Sequence, residues 1–331
     1  MSEAGAIAVT GATGFVGRHV VRALLARGRS VRGLVRDAAK ARAVLPASDT
    51  RLTLVRGDLD DDAAVRSLLA GASACVHTVG IIREEGRNTF ARVHVEFTRR
   101  VLSAAAASGA ARRFVLISAL GVHPDGPSAY QRTKFEGETL VRRSGLDWTI
   151  LRPGMIHGAE GEFIRMAAGW ARGERAPYWF MPYFVRTVDE DEGVPLGRQR
   201  REPARLAPVA VEDVADAVGA ALDSPRAVGE VYPLVGPETL DWREMMELLR
   251  DEVPRAEASQ WIVPIPAELA AAAARAAAAV GLEGLLPFNE GMARMAALDA
   301  TASCAKAREH LGVEPRRAFR PTLRAYASAI R

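Results

Sequence analysis

"AIAVTGATGFVGRHVVRALLARG", residues 6–28, is the stretch whose reading decides the fold. Ala6–Thr10 reads as a short apolar strand that halts at Thr10-Gly11. Glycines then stand at 11, 14 and 17, and Val16, Val20, Leu24 and Leu25 recur at helical spacing, predicting a helix over Gly14–Arg27. A strand handing over to a helix through three glycines has a specific use. The first allows a tight turn, the second lets the backbone approach a phosphate, and the third lets the helix lie close on the strand. Amide hydrogens at the helix start, aided by its dipole, favour a diphosphate. Gly11, Thr13, Gly14, Phe15, Val16 and Gly17 are therefore read as a dinucleotide-binding loop.

Outward from this stretch the alternation continues. Strands are expected at Ser30–Val35, Leu52–Val55, Ala74–Val79, Phe114–Ser118 and Trp148–Leu151. Helices are expected at Ala38–Leu45, around "DLDDDAAVRSLLAG", at Asn88–Ser108 and at Ser128–Ser144. Apolar strands alternating with helices make a doubly wound parallel sheet, an α/β Rossmann arrangement, with ligands at the carboxyl ends of the strands. Residues 1–155 are read as the dinucleotide-binding domain and 156–331 as a smaller, mainly helical substrate and lid region. "VAVEDVADAVGAAL" and "VYPLVG", within 206–236, are expected to return to the first domain. Residues 172–205 are read as a loop or lid, not a core element, with a hairpin around Asp191–Gly193. Residues 239–331 are expected to be mostly helical, and the alanine run Ala270–Ala279 to pack on its own domain or bind a partner.

Composition bounds the rest. The chain has 331 residues, 49% of them hydrophobic and 25% charged, with a formal net charge of +4. No basic cluster interleaved with aromatics points to nucleic acid, and no apolar window is long enough for a membrane span. No signal-peptide pattern opens the chain, Cys75 and Cys304 are the only cysteines, and a reducing cytoplasmic setting is expected. No Cys, His and carboxylate cluster has metal spacing.

The second expected strand ends Leu34-Val35-Arg36. A guanidinium there suits a 2′-phosphate, so NADP(H) is favoured, while Asp37 next to it keeps NAD(H) open. Asp58, with Leu59 after it, is read as a partner for the adenine amine or as a cap for the next helix. Val79 and Gly80 are read as lining the nucleotide, as is Pro153 in the Arg152-Pro153-Gly154 turn. His157 is expected near the nicotinamide, and His77 is read as a packed histidine.

"SAYQRTKFEGE" puts Tyr130 and Lys134 four apart on one helix face. A nearby ammonium, together with the positive oxidised nicotinamide, is expected to favour the phenolate. Ser118, at the end of the fifth strand, is placed to hydrogen-bond a carbonyl or hydroxyl. Lysine here is notable because the only others in the chain are Lys40 and Lys306.

Together Thr10–Gly17, Ser118, Tyr130 and Lys134 resemble the short-chain dehydrogenase/reductase superfamily, in its extended, epimerase/dehydratase-like form. "NTFARVHVEFTRRVLSAA", "RFVLISALGVHPDGPSAYQRTKFEGE" and "SGLDWTILRPGMIHG" are similar to an atypical branch that contains the NADPH-binding accessory subunit of respiratory complex I. The resemblance implies a Rossmann domain with a small C-terminal part and a tightly held NADP(H). It also implies an oxidoreductase or epimerase/dehydratase chemistry with Ser118, Tyr130 and Lys134, or a non-catalytic accessory subunit or redox sensor built on the same residues. A small molecule, quinone-like or nucleotide-sugar, and a protein partner or second copy are the expected ligands and partners. The chain departs from the extended pattern Asn-Val-x-Gly-Thr in having His94-Val95-Glu96-Phe97-Thr98.

Overall fold

A computed structural model describes residues 5–189, 199–282, 286 and 288–330. Its first half alternates β1 (Ala6–Thr10), α1 (Phe15–Ala26), β2 (Val31–Val35), α2 (Ala38–Val44), β3 (Leu52–Arg56), α3 (Asp62–Leu69), β4 (Ala72–His77), α4 (Phe97–Ser108), β5 (Arg113–Ile117), α5 (Ala129–Arg142) and β6 (Asp147–Pro153). Local chemistry sets these boundaries. The Asp37 and Asp61 carboxylates cap α2 and α3 by accepting backbone N–H bonds, and a Ser128/Gln131 capping box starts α5. Gly109, at φ +65°, closes α4 in the left-handed conformation. Ala91–Glu96, ahead of α4, runs as a π-helical turn within the stretch expected to be one regular helix.

Beyond Pro153 come β7 (Ile156–His157), α6 (Glu162–Ala171), β8 (Phe180–Asp189), β9 (Gln199–Pro203), β10 (Arg205–Leu206), β11 (Val209–Ala210), α7 (Val211–Asp223), β12 (Glu230–Leu234), β13 (Leu240–Asp241), α8 (Trp242–Glu252) and β14 (Trp261–Pro266). Helices α9 (Ala267–Ala279), α10 (Glu290–Ala296), α11 (Ala305–Leu311) and α12 (Phe319–Tyr326) follow.

The main sheet has the order β12-β6-β5-β4-β1-β2-β3, and every pairing is parallel. Both faces are buried, which explains strands that read as continuous apolar runs. One face packs Val20, Leu24, Val214 and Val218 of α1 and α7. The other packs Val65, Leu68, Val101 and Val141 of α3, α4 and α5. Each such side chain, fully withdrawn from water, stabilises the fold by about 1.5–3 kcal/mol. The chain crosses from β1 to β2 through α1 on one face, and from β3 over to β4 on the far side of β1 through α3 on the other. That reversal opens a crevice above the carboxyl ends of β1 and β4.

The segment expected as a loop or lid is a core element in part. β8 pairs antiparallel with β9 and parallel with β14, and Met181, Tyr183 and Val185 are buried against α6 and α8. Alternate residues of β8 point into that core, which period-two burial requires of a strand. The flanking strands pair as a hairpin's would, while Asp191–Gly193 lies outside the described residues. In the alanine run, Ala270, Ala271 and Ala274 pack with Phe288 and Ala293, against Phe184 and Ile265. No helix among the described residues is long and apolar enough to cross a membrane.

Candidate active site

The glycine loop is built as tightly as its sequence demands. Gly11 has φ +69°, and the Gly14 N–H donates to its carbonyl at 2.8 Å. A methyl group at Gly17 would stand 2.0 Å from the Gly11 oxygen, so the third glycine is what lets α1 start here. Arg18 completes the loop. Its guanidinium donates to the carbonyls of Thr13 (3.0 Å) and Gly14 (3.2 Å), and lies 3.5 Å from Glu160. Phe15 packs under Gly158 and Gly161, where a Cβ would approach its ring to 3.0 and 3.3 Å, while Val16 packs on the core beneath α1.

Arg36 follows the end of β2, and Arg56 ends β3 opposite Val35. Both are exposed, and neither makes a hydrogen bond or ion pair among the described residues. Asp37 does not compete for a ligand as an open carboxylate. It accepts from the N–H groups of Ala39 (2.9 Å) and Lys40 (3.1 Å), and these bonds hold its pKa below the usual carboxylate value. Asp58 is not the cap of α3; Asp61 is. The Asp58 carboxylate accepts from the Leu59 N–H at 2.6 Å through one oxygen, and Leu59 itself is buried in the core.

The chain leaves β4 at His77, two residues earlier than expected, so Val79 and Gly80 lie just past the strand end. His77 is a packed histidine. Its Nδ1 is 2.7 Å from Thr10 Oγ1 and its Nε2 3.3 Å from Thr98 Oγ1, and burial lowers its pKa to about 3. Gly80 is a bare backbone surface, since a Cβ there would come within 3.1 Å of Lys134 Nζ. Pro153 ends β6, and the Gly154 N–H is spent on the Leu234 carbonyl. His157, expected near the nicotinamide, is fully buried elsewhere: its Nδ1 is 3.3 Å from Tyr326 Oη and Phe319 meets its ring edge-on.

Lys134 reaches the end of β5 beside Ser118, and Tyr130 stands one turn before Lys134 on α5. Lys134, buried, donates to the Ile117 carbonyl at 3.0 Å, and burial lowers its pKa to about 8 against the opposing pull of Glu138. Tyr130 is half-buried, and its hydroxyl makes no hydrogen bond among the described residues. Its ring meets Phe90 and His94 edge-on, at 5.9 and 5.4 Å between centroids. In the protein without nucleotide, burial pushes the Tyr130 phenol up to about 12. The Ser118 Oγ is buried without a well-formed hydrogen bond, although it lies near enough to Glu138 to help keep that carboxyl ionised.

Three participants escaped the reading of the sequence. Arg18 follows the third glycine directly. Glu138 continues the spacing of Tyr130 and Lys134; it is fully buried, gripped by Arg152 at 2.7 and 2.8 Å and by Arg142 at 2.8 Å. Gly137 lets α5 close on the π-helical turn: a Cβ on it would meet the His94 carbonyl at 2.6 Å. Phe97 fills the core.

A glycine loop at the first strand, a parallel sheet with its crevice, and a serine at the end of β5 with a tyrosine and a lysine on α5 define an NAD(P)H-binding Rossmann protein. The chain belongs to the NAD(P)H-binding family, and its Rossmann domain is of the short-chain dehydrogenase/reductase type. A family profile described as NAD(P)H-binding matches residues 11–175. A Streptomyces griseus (4-alkanoyl-5-oxo-2,5-dihydrofuran-3-yl)methyl phosphate reductase is 31% identical over 72% of this chain and 70% of its own. Ceramide reductase of Caulobacter vibrioides is 39% identical over 46% of this chain and 47% of its own. The mitochondrial NADH dehydrogenase [ubiquinone] 1 alpha subcomplex subunit 9 of Arabidopsis thaliana is 26% identical over 74% and 57%. The chain thus spans about half the length of these last two relatives. The fold is shared with UDP-glucuronic acid 4-epimerase from Bacillus cereus, solved with NAD, at a TM-score of 0.69, 19% identity and 98% coverage of both chains.

Proposed function

We propose that this protein is an NADP(H)-dependent oxidoreductase that interconverts a carbonyl and an alcohol, with Ser118, Tyr130 and Lys134 as its catalytic residues. One observation carries the reading. The half-buried Tyr130 hydroxyl makes no hydrogen bond among the described residues, one turn from the buried Lys134 on the same helix, and the buried Ser118 hydroxyl has only the Glu138 carboxylate near it. Unspent polar atoms in a half-buried site are costly and fit a ligand that satisfies them. Gly11–Gly17 hold the pyrophosphate, and Val79, Gly80 and Pro153 border the nicotinamide end. Asp58 meets the adenine amine through its second oxygen. Arg36, exposed and without an ion pair among the described residues, supplies a guanidinium for a 2′-phosphate, which favours NADP(H) over NAD(H).

The bound nucleotide would supply hydride. Tyr130, kept protonated by burial, gives its hydroxyl proton to the carbonyl oxygen as that oxygen becomes a hydroxyl. Ser118 donates a hydrogen bond to the same oxygen. The Lys134 ammonium, beside Gly80, stabilises the phenolate that remains. Likeness to complex I subunits and the tight aromatic surround of Tyr130 support a second reading, a non-catalytic NADP(H)-binding accessory subunit or redox sensor.

Fluorescence titration with NADPH and NADH tests the nucleotide, with tenfold tighter NADPH binding expected in the wild type and lost in Arg36→Ala. Consumption of NADPH with a panel of aldehydes, ketones, quinones and nucleotide sugars tests the chemistry. Turnover abolished in Tyr130→Phe supports the enzyme, whereas tight stoichiometric NADPH without turnover on any of them supports the accessory reading.

A further inference from the structure

We infer that His94 is a positioning residue of this site, delivered by the π-helical turn to hold Tyr130 and the end of β4 in one arrangement. The inference rests on the Ser118, Tyr130 and Lys134 reading above. The turn over Ala91–Glu96 contains one residue more than an α-helical turn would. Val93, His94 and Val95 are consecutive and all buried. In the wider turn, Val93 joins the core with Phe97 and Val101, while His94 turns toward β4 and α5.

There the imidazole is held at both nitrogens. The Ile81 N–H donates to Nε2 at 3.3 Å, so a neutral ring carries its proton on Nδ1. That Nδ1–H donates to Thr133 Oγ1 at 3.0 Å, and the Thr133 hydroxyl donates onward to the Ala129 carbonyl at 2.8 Å. Burial favours the neutral ring, lowering its pKa to about 2. One face of the ring stacks on Phe90, at 5.5 Å and 22° between planes, and Tyr130 meets it edge-on at 86°. The ring therefore ties the residue after Gly80 to the first turns of α5, which carry Tyr130. A Cβ on Gly80 would lie 3.9 Å from His94 Nε2 and 3.1 Å from Lys134 Nζ, so all three meet at one point. Loosening His94 frees the Tyr130 ring to turn away from the ammonium and from the bound nucleotide.

The test reads tyrosine ionisation, which needs no turnover. With saturating NADP+, ultraviolet titration of the wild type near 295 nm should show one tyrosine ionising below the rest, and Tyr130→Phe should remove that step. His94→Phe keeps the stacking and loses both hydrogen bonds, and Thr133→Val removes the Nδ1 partner alone. Each should raise the step by about one pH unit, a tenfold change in ionisation equilibrium, and His94→Gln should restore part of it. If His94→Phe does not fold, Thr133→Val still decides. A step present in the wild type and unmoved in the folded variants overturns this role for His94 alone. No step that depends on Tyr130 in the wild type overturns the catalytic reading and this role with it.

Discussion

At the scale of single residues the site is a set of charges kept under constraint. Lys134 ionises near 8 rather than at its ordinary 10.5 because it is buried. A lysine whose folded pKa is lowered holds fewer protons than the unfolded chain between those values, so its cost is largest below pH 8 and disappears as pH rises toward 10.5. The shift corresponds to a cost of up to about 3 kcal/mol at pH 7. Lys134→Met should therefore raise the melting temperature of the nucleotide-free protein at pH 7, and the gain should shrink at pH 10. The same variant should lose activity, and wild-type activity should fall as pH rises through 8. A melting temperature lowered by Lys134→Met at neutral pH counts against this assignment. Gly17 carries the opposite constraint, steric rather than electrostatic. A Cβ 2.0 Å from the Gly11 oxygen forces the loop open, so Gly17→Ala should abolish measurable NADPH binding in a titration while the circular dichroism stays α/β.

Elements are joined by the buried pair beneath the site. Glu138 links α5 to β6 through Arg152, and breaking such a pair leaves an uncompensated buried charge at a cost of about 3–5 kcal/mol. Arg152→Met should lower the unfolding free energy from urea titration by about 3–5 kcal/mol, and the double variant Glu138→Leu with Arg152→Met should recover most of it. Equal midpoints for the single and double variants would show that the charge is not the reason. How much of this was legible depends on whether a signal is local. The main sheet was, because both its faces are buried and its strands and helices alternate at short range. So were the glycine loop and the Tyr130–Lys134 spacing. The β8–β9–β14 sheet was not, because Trp261–Pro266 pairs with Phe180–Val185 from far along the chain, and Pro264, Pro266 and Pro182 discourage a strand reading. β14 tolerates its prolines as an edge strand. Glu138 stood in plain view four residues after Lys134, but its partner Arg152 comes from another element. His94 was seen as a departure from a pattern. Its purpose depends on a π-helical turn, which a periodicity of 3.6 does not reveal.

Across the whole molecule, three buried neutral histidines set the response to acid. Desolvation lowers His77 to about 3, His94 to about 2 and His157 to about 4, against an ordinary 6.5. They sit in different places: His77 between β1 and α4, His94 between β4 and α5, and His157 against α12. Below pH 6.5 the unfolded chain takes up protons that the folded one refuses, so the stability these rings contribute is complete above 6.5 and is lost as pH falls toward 4. Each contributes a slope of about 1.4 kcal/mol per pH unit, and the three together about 4. The lowered carboxyls, Glu138 and Glu160 among them, act below their ordinary 4.5, so the window from 6.5 to about 4.5 belongs to the imidazoles. Against a total of about 5–15 kcal/mol for a typical domain, that slope predicts unfolding by mild acid. Urea midpoints measured at pH 7.5, 6 and 5 should fall steeply between the last two. His157→Phe keeps the aromatic packing against Phe319 and removes one titrating group, so it should reduce the slope by about a third. A midpoint independent of pH between 6.5 and 5 would mean that the rings are reached by water and protonated in place.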